Sequence, residues 1–120
     1  IENKAVKIYG TGEQTRTFCY LDDAISGIFN VLEKSRKGSV YNIGNPNPEI
    51  SMNGLIELFN QTIDMNVESE LIEYPDHYPG DEPQRRCPDI SLASIELGYN
   101  PCISLEDGLS KTFAWCKAQY

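Results

Sequence analysis

The 120 residues carry 18 Asp and Glu against 10 Lys and Arg, a formal net charge of −8, which argues against a general nucleic-acid surface, because phosphate backbones are held by clustered cations. That length is one domain's, enough for a modest core but short of a typical two-domain enzyme, and no apolar run approaches the ~20 residues of a membrane-crossing helix. The four cysteines, Cys19, Cys87, Cys102 and Cys116, lack CxxC or Cys/His spacing and His77 is the one histidine, so no metal site is expected and reduced thiols of a cytoplasmic protein are the ordinary reading. The chain starts at Ile1 without Met or a signal-peptide pattern and turns strand-like almost at once, so a fragment of a longer protein is expected.

In chain order, Val6–Tyr9 reads as a short strand and Gly10-Thr11-Gly12 as a turn that would let backbone N–H groups approach a ligand. Glu13 and Gln14 follow as exposed polar residues. Thr15–Tyr20 alternates as a second strand, with Arg16, Phe18 and Tyr20 on one face as an anion and ring clamp. Asp22 or Asp23 is expected to cap a helix whose apolar stripe is Ala24, Ile25, Ile28, Phe29, Val31 and Leu32, ending near Lys34–Lys37. Ser39–Ile43 is β-branched and aromatic, a third strand, and Gly44-Asn45-Pro46-Asn47-Pro48 is a turn.

Ser51 is the predicted N-cap of a second amphipathic helix carrying Met52, Leu55, Ile56, Leu58, Phe59 and Ile63. Val67–Tyr74 reads as a strand and Pro75–Pro83 as a loop. Asp89 is expected to cap a short helix that Gly98 stops, and Ser104 with Asp107 to open a last helix bearing Leu105, Leu109, Phe113 and Cys116. The order is β–β–α–β–α–β–loop–α–α, an α/β arrangement with short strands and peripheral helices.

Arg16 and the pair Arg85/Arg86 are the candidates for holding an anion, since a guanidinium is permanently charged and grips phosphate oxygens bidentately. The bland alternatives are an exposed strand arginine for the first and, for the pair, a solvated loop or pairing with Asp81, Glu82 or Asp89. Capping outweighs acid–base chemistry for Asp22 and Asp23. His77 has no orienting partner in sequence. The Gly10-x-Gly12 pair is too short for a dinucleotide fingerprint.

Three segments taken together resemble the C-terminal part of extended short-chain dehydrogenase/reductases. They are Tyr9-Gly10-Thr11-Gly12-Glu13-Gln14-Thr15-Arg16-Thr17-Phe18-Cys19-Tyr20-Leu21-Asp22-Asp23; Tyr41-Asn42-Ile43-Gly44-Asn45-Pro46; and Arg85-Arg86-Cys87-Pro88-Asp89-Ile90 with Leu97-Gly98-Tyr99-Asn100-Pro101 and Ser104-Leu105-Glu106-Asp107-Gly108-Leu109. Within that group the chain is most similar to nucleotide-sugar epimerases and dehydratases, especially UDP-glucuronate decarboxylases.

The resemblance implies that residues 1–120 are a small substrate-binding domain, normally appended to an N-terminal NAD-binding Rossmann domain absent from these residues. It implies that Gln14 and Arg16 reach the ribose and the phosphates or sugar of a UDP-sugar, and that Ile8 and Tyr9 lie against the base. Arg85 or Arg86 would supply a second diphosphate contact, and Arg16 would assist a reacting carboxylate. NAD belongs to the full-length enzyme, expected to be a cytoplasmic homodimer. No Tyr-x-x-x-Lys pair occurs in the 120 residues, so this chain alone is expected to be inert and to hold no NAD. A stand-alone nucleotide-sugar module and a structural or oligomerisation domain are the rival readings.

Overall fold

The computed structural model describes residues 4–75, 77–78 and 82–119. Pro79, Gly80 and Asp81, from the predicted loop and its possible ion pairs, lie outside them. The elements are β1 (Val6–Tyr9), β2 (Thr15–Arg16), α1 (Leu21–Lys34), β3 (Ile50–Ser51), α2 (Met52–Ile63), β4 (Ser69–Ile72), β5 (Arg85–Arg86), α3 (Ser91–Leu97) and α4 (Leu105–Gln119). This is the expected mixture of short strands and peripheral helices. Two compact units divide the chain, one drawn from Ile1–Arg16, Ile50–Arg86 and Leu109–Tyr120, the other from Thr17–Glu49 and Cys87–Gly108.

In the first unit β1 pairs in parallel with β4, Ile8 opposite Leu71 and Tyr9 opposite Ile72. Backbone bonds from Val6 N–H to Glu68 O (2.9 Å) and Gly10 N–H to Ile72 O (2.8 Å) continue this pairing at both ends. β2 lies between β3, antiparallel, and β5, parallel, with Thr15 opposite Arg85 and Arg16 opposite Arg86. The predicted cap of α2 is present: Ser51 Oγ accepts the Gly54 N–H at 3.0 Å. After α2, Asn60 grips both backbone groups of Val67, Oδ1 accepting its N–H (2.9 Å) and Nδ2 donating to its carbonyl (3.1 Å). That clamp fixes the short link into β4. Phe59 of α2 meets Phe113 of α4 edge-on, with ring centroids 5.8 Å apart, a favoured aromatic geometry.

The second unit packs around Ala93, Leu97 and Tyr99, with Val31, Tyr41, Ile43 and Ile90 against them. Gly27 is what lets α1 approach: a Cβ there would come within 2.5 Å of Ile43 Cγ2 and 2.9 Å of Tyr99 Cε2. Gly98 ends α3 in the left-handed region (φ 68°), as predicted. Lys34 Nζ donates to the Leu97 carbonyl at that helix end (3.0 Å). Ser104 Oγ accepts the Asp107 N–H at 3.1 Å, the expected cap of α4.

Four expectations are corrected. Neither Asp22 nor Asp23 caps α1, which begins at Leu21 with Tyr20 in the cap position and no side-chain cap bond. Asp23 is buried instead and accepts the N–H groups of Cys102 (3.1 Å) and Ile103 (2.8 Å). Its partners lie 79 and 80 residues away, beyond any local capping pattern. Asp89 is a narrower case: it accepts the Ser91 N–H at 2.9 Å, but Ile90 holds the cap position of α3. Ser39–Ile43 forms no strand, since no neighbouring strand pairs with it among the described residues. β2 ends at Arg16, so the alternation read through Tyr20 has no ladder to fix it.

The apolar stripe of α1 is also wider than its core contact. Asp23 and Gly27 are its buried residues and Val31 packs on the core, whereas Leu21, Ile25, Ile28, Phe29 and Leu32 are exposed. Among the described residues no helix is long and apolar enough to cross a membrane.

Candidate functional site

A cavity of about 270 Å³ in the first unit is lined by Ile8, Tyr9, Gln14 and Arg16 together with Tyr74, Tyr78 and Glu82, over a floor from Met52, Leu55 and Ile56 of α2. It approaches the ~300–1,000 Å³ of small-molecule sites and suits one moiety of a larger ligand. Four of the sequence-predicted residues therefore share one wall. A larger cavity of about 690 Å³, bounded by Phe59, Val67, Leu109 and Phe113, contains none of them.

Gln14 corrects an expectation: it is buried, not exposed, and its Nε2 donates to the Tyr9 carbonyl at 2.9 Å. The bond ties the end of β1 to the start of β2 and so fixes the entrance to the cavity. Ile8 is buried beneath, and Tyr9 is 38% exposed. The Tyr9 ring stacks on Tyr74 (centroids 5.6 Å, 18° between planes) and Tyr78 (6.0 Å, 26°), while Tyr74 and Tyr78 are 4.6 Å apart. Three tyrosines thus form an aromatic wall with flat π faces. Burial, and after it the Glu82 carboxylate, holds the Tyr78 phenol above its ordinary pKa.

The cationic side rests on strand pairing. Because β2 and β5 run parallel with Arg16 opposite Arg86, paired residues point to the same side of the sheet and Arg85, one residue earlier, to the other. Glu82 bridges the two: its Oε1 lies 2.5 Å from Arg16 Nη2 and its Oε2 3.2 Å from Arg86 Nη2. Arg16 Nη1 also donates to its own strand at the Thr15 carbonyl (2.7 Å). The anticipated pairing with Glu82 is thus present for Arg86, while Asp89 serves Ser91. Hydrogen bonds from Ser91 hold the Asp89 carboxyl below its ordinary pKa.

The glycine turn, expected to let backbone N–H groups approach a ligand, is closely packed by the protein itself. Gly10 and Gly12 both have positive φ, 71° and 75°. The Gly10 N–H is taken by Ile72 O. Added Cβ atoms would strike Tyr74 at Gly10 and the Asn53 amide at Gly12, so these glycines make room for the protein's own side chains. NAD fails the same test: no helix begins at this turn to present its N-terminus to a pyrophosphate, and the space over Gly12 is filled by Asn53. The residues of this turn do not fit that cofactor's pyrophosphate.

Sequence reading missed Tyr74 and Tyr78, and it paired Glu82 with Arg85 or Arg86 but not with Arg16. Only the β1–β4 and β2–β5 pairings, which join residues more than 60 positions apart, bring them to Tyr9 and Arg16. His77 is exposed and outside the cavity lining.

The sequence model of the NAD dependent epimerase/dehydratase family matches residues 1–44. The structure of UDP-glucuronic acid 4-epimerase from Bacillus cereus, in complex with UDP-glucuronic acid and NAD, superposes on 99% of this chain with a TM-score of 0.87 and 35% identity. Nearly the whole chain is thus similar to part of a protein of this family. It covers 37% of that epimerase. UDP-glucose 4-epimerase from Thermotoga maritima, solved with UDP-glucose, gives a TM-score of 0.84 at 26% identity, over 98% of this chain and 36% of its own. Among curated relatives, UDP-glucuronic acid decarboxylase 1 of Xenopus tropicalis is 34% identical over 99% of this chain, and decarboxylase 6 of Arabidopsis thaliana 37% identical over 91%. The chain spans 27% and 30% of those two relatives.

Proposed function

We propose that residues 1–120 act as the C-terminal substrate-binding domain of a longer NAD-dependent enzyme, supplying the wall that holds the nucleotide and diphosphate of a UDP-sugar. The observation that carries this is the convergence of Ile8, Tyr9, Gln14 and Arg16 on one cavity, with Arg86 in register beside Arg16. Tyr9 and its tyrosine neighbours face the base, Gln14 holds the turn and faces the ribose, and Arg16 with Arg86 grips the diphosphate. Arg86 is preferred to Arg85 because pairing puts it on Arg16's side of the sheet. Arg16 also serves a uronic acid carboxylate by electrostatic stabilisation, if the sugar carries one.

NAD, the Tyr-x-x-x-Lys pair and the sugar-facing groups then come from a Rossmann domain in the rest of the enzyme. The exposed apolar face of α1 supports that reading, as a surface of the kind domains bury against one another. A cytoplasmic homodimer belongs to the same proposal.

The test is turnover of UDP-glucuronic acid, followed by product NMR, in the protein translated from the entire reading frame, alongside calorimetric titration of the 120-residue chain with UDP. Turnover by the whole protein, lost with Arg16→Ala, supports the proposal. Tight UDP binding by the isolated chain, with no turnover by the whole protein, favours the stand-alone module instead.

A further inference from the structure

We propose that Glu82 is an internal counter-ion occupying the anion position between Arg16 and Arg86, and that it competes with the diphosphate of an incoming ligand. The inference rests on the nucleotide-sugar reading of the site and adds a regulatory contact to it. Glu82 presents one carboxylate oxygen to each guanidinium, at 2.5 and 3.2 Å, as a bridging phosphate would with two of its oxygens.

The carboxylate is not what brings the two arginines together. The β2–β5 ladder does that, through the Arg16–Arg86 register and the Thr15 N–H to Gln84 O bond of 2.8 Å. Glu82 itself sits in irregular backbone just before β5, on the wall of the cavity, and its side chain is 19% exposed. The Arg86 side chain remains 59% exposed, open to a ligand from solvent.

Two guanidiniums and one carboxylate leave a net charge of +1 at this point, inside a chain of net charge −8. A diphosphate brings at least two negative charges, and with Glu82 in place its oxygens would face a third. Like charges at such separations repel strongly where solvent is partly excluded. Ligand binding therefore requires the carboxylate to leave the guanidiniums.

A positioning role and a competing role differ in sign. Glu82→Gln keeps the size and removes the charge; under competition it raises UDP affinity about tenfold in the whole protein, while Arg16→Ala and Arg86→Ala lower it. Glu82→Asp, too short to bridge both arginines, gives an intermediate rise. A ligand-free readout accompanies this: phenylglyoxal modification of Arg16 and Arg86, located by mass spectrometry, becomes several-fold faster in Glu82→Gln. Inorganic pyrophosphate then protects the variant at lower concentration than the wild type.

Weaker or unchanged UDP binding in Glu82→Gln overturns the proposal. If neither protein binds UDP, the nucleotide-sugar reading fails. The counter-ion role is then decided by the modification rates and pyrophosphate protection: an increase in both supports it, and no change in either overturns it.

Discussion

Replacing Asp23 with alanine separates a helix cap from a long-range clamp. Asp23 is 6% exposed and its Oδ2 accepts two backbone N–H bonds, from Cys102 at 3.1 Å and Ile103 at 2.8 Å. Hydrogen bonds to a charged group contribute about 1.5–3 kcal/mol each, and an amide left without a partner loses its desolvation energy as well. Cys102 is exposed, so water recovers part of one bond. The expected loss is about 3 kcal/mol. Asp22, exposed in the first turn of α1, is placed to interact with the helix dipole, about 0.3–1 kcal/mol. Denaturant titration of the two alanine variants, followed by circular dichroism, should give a difference of at least about 2 kcal/mol, or a melting temperature lower by roughly 10 °C for Asp23→Ala at this chain length. Asp23→Asn, which keeps an acceptor oxygen but not the charge, should fall between. Equal losses at the two positions, or a larger one at Asp22, would refute the clamp.

Arg16→Ala and Arg86→Ala should each weaken UDP binding in the whole protein by about tenfold or more, the worth of a charge-assisted bond, whereas Arg85→Ala and Arg36→Ala should change calorimetric affinity little. Gly12→Ala should destabilise by about 2–3 kcal/mol in denaturant titration, from the left-handed backbone and the displaced Asn53 side chain; Asn53 would surrender bonds to Thr11 O (3.1 Å) and Glu13 Oε1 (2.8 Å). Burial, then the Cys19 hydrogen bond, pushes the Tyr99 phenol above its ordinary pKa. Its contribution to stability is therefore fully present below pH ~10 and lost as pH rises through the folded value. Urea midpoints between pH 8 and 11 should fall more steeply for wild type than for Tyr99→Phe, which starts lower by about 1–3 kcal/mol because the Gly44 carbonyl loses its 3.0 Å partner.

What was legible in the sequence is what neighbours in sequence decide. Ser51, Gly98 and Ser104 act within one helical turn, and each does what its residue type and position imply. The apolar periodicity of α2 and α4 likewise marks real helices. Pairing over long distances is what could not be read: nothing local to Ser69–Ile72 names Val6–Tyr9 as its partner, and nothing local to Arg86 names Arg16. Gln14 looked exposed because it is polar and follows glycines, yet its amide closes a turn from the inside. Asp23 looked like a cap because it precedes an apolar run. A buried carboxylate that serves a distant loop has the same local signature.

Ser39–Ile43 and α1 show a different limit. The composition of Ser39–Ile43 fits a pleated surface, but a strand is a relation between two segments, and without a neighbour β-favouring residues yield only extended backbone. Tyr41 and Ile43 pack on the core while Val40, between them, is 83% exposed, so the alternation survives although the ladder does not. In α1 the stripe read as one core face divides into a contact at Gly27 and Val31 and an open face from Leu21 to Leu32. Hydrophobic periodicity records that a face is selected for cover, not what covers it. The extended segment and the open helix face belong to the same unit and are adjacent in sequence, which is what an αβ repeat at the margin of a larger sheet requires. On the proposed reading, that sheet is the Rossmann domain, which covers the open face of α1.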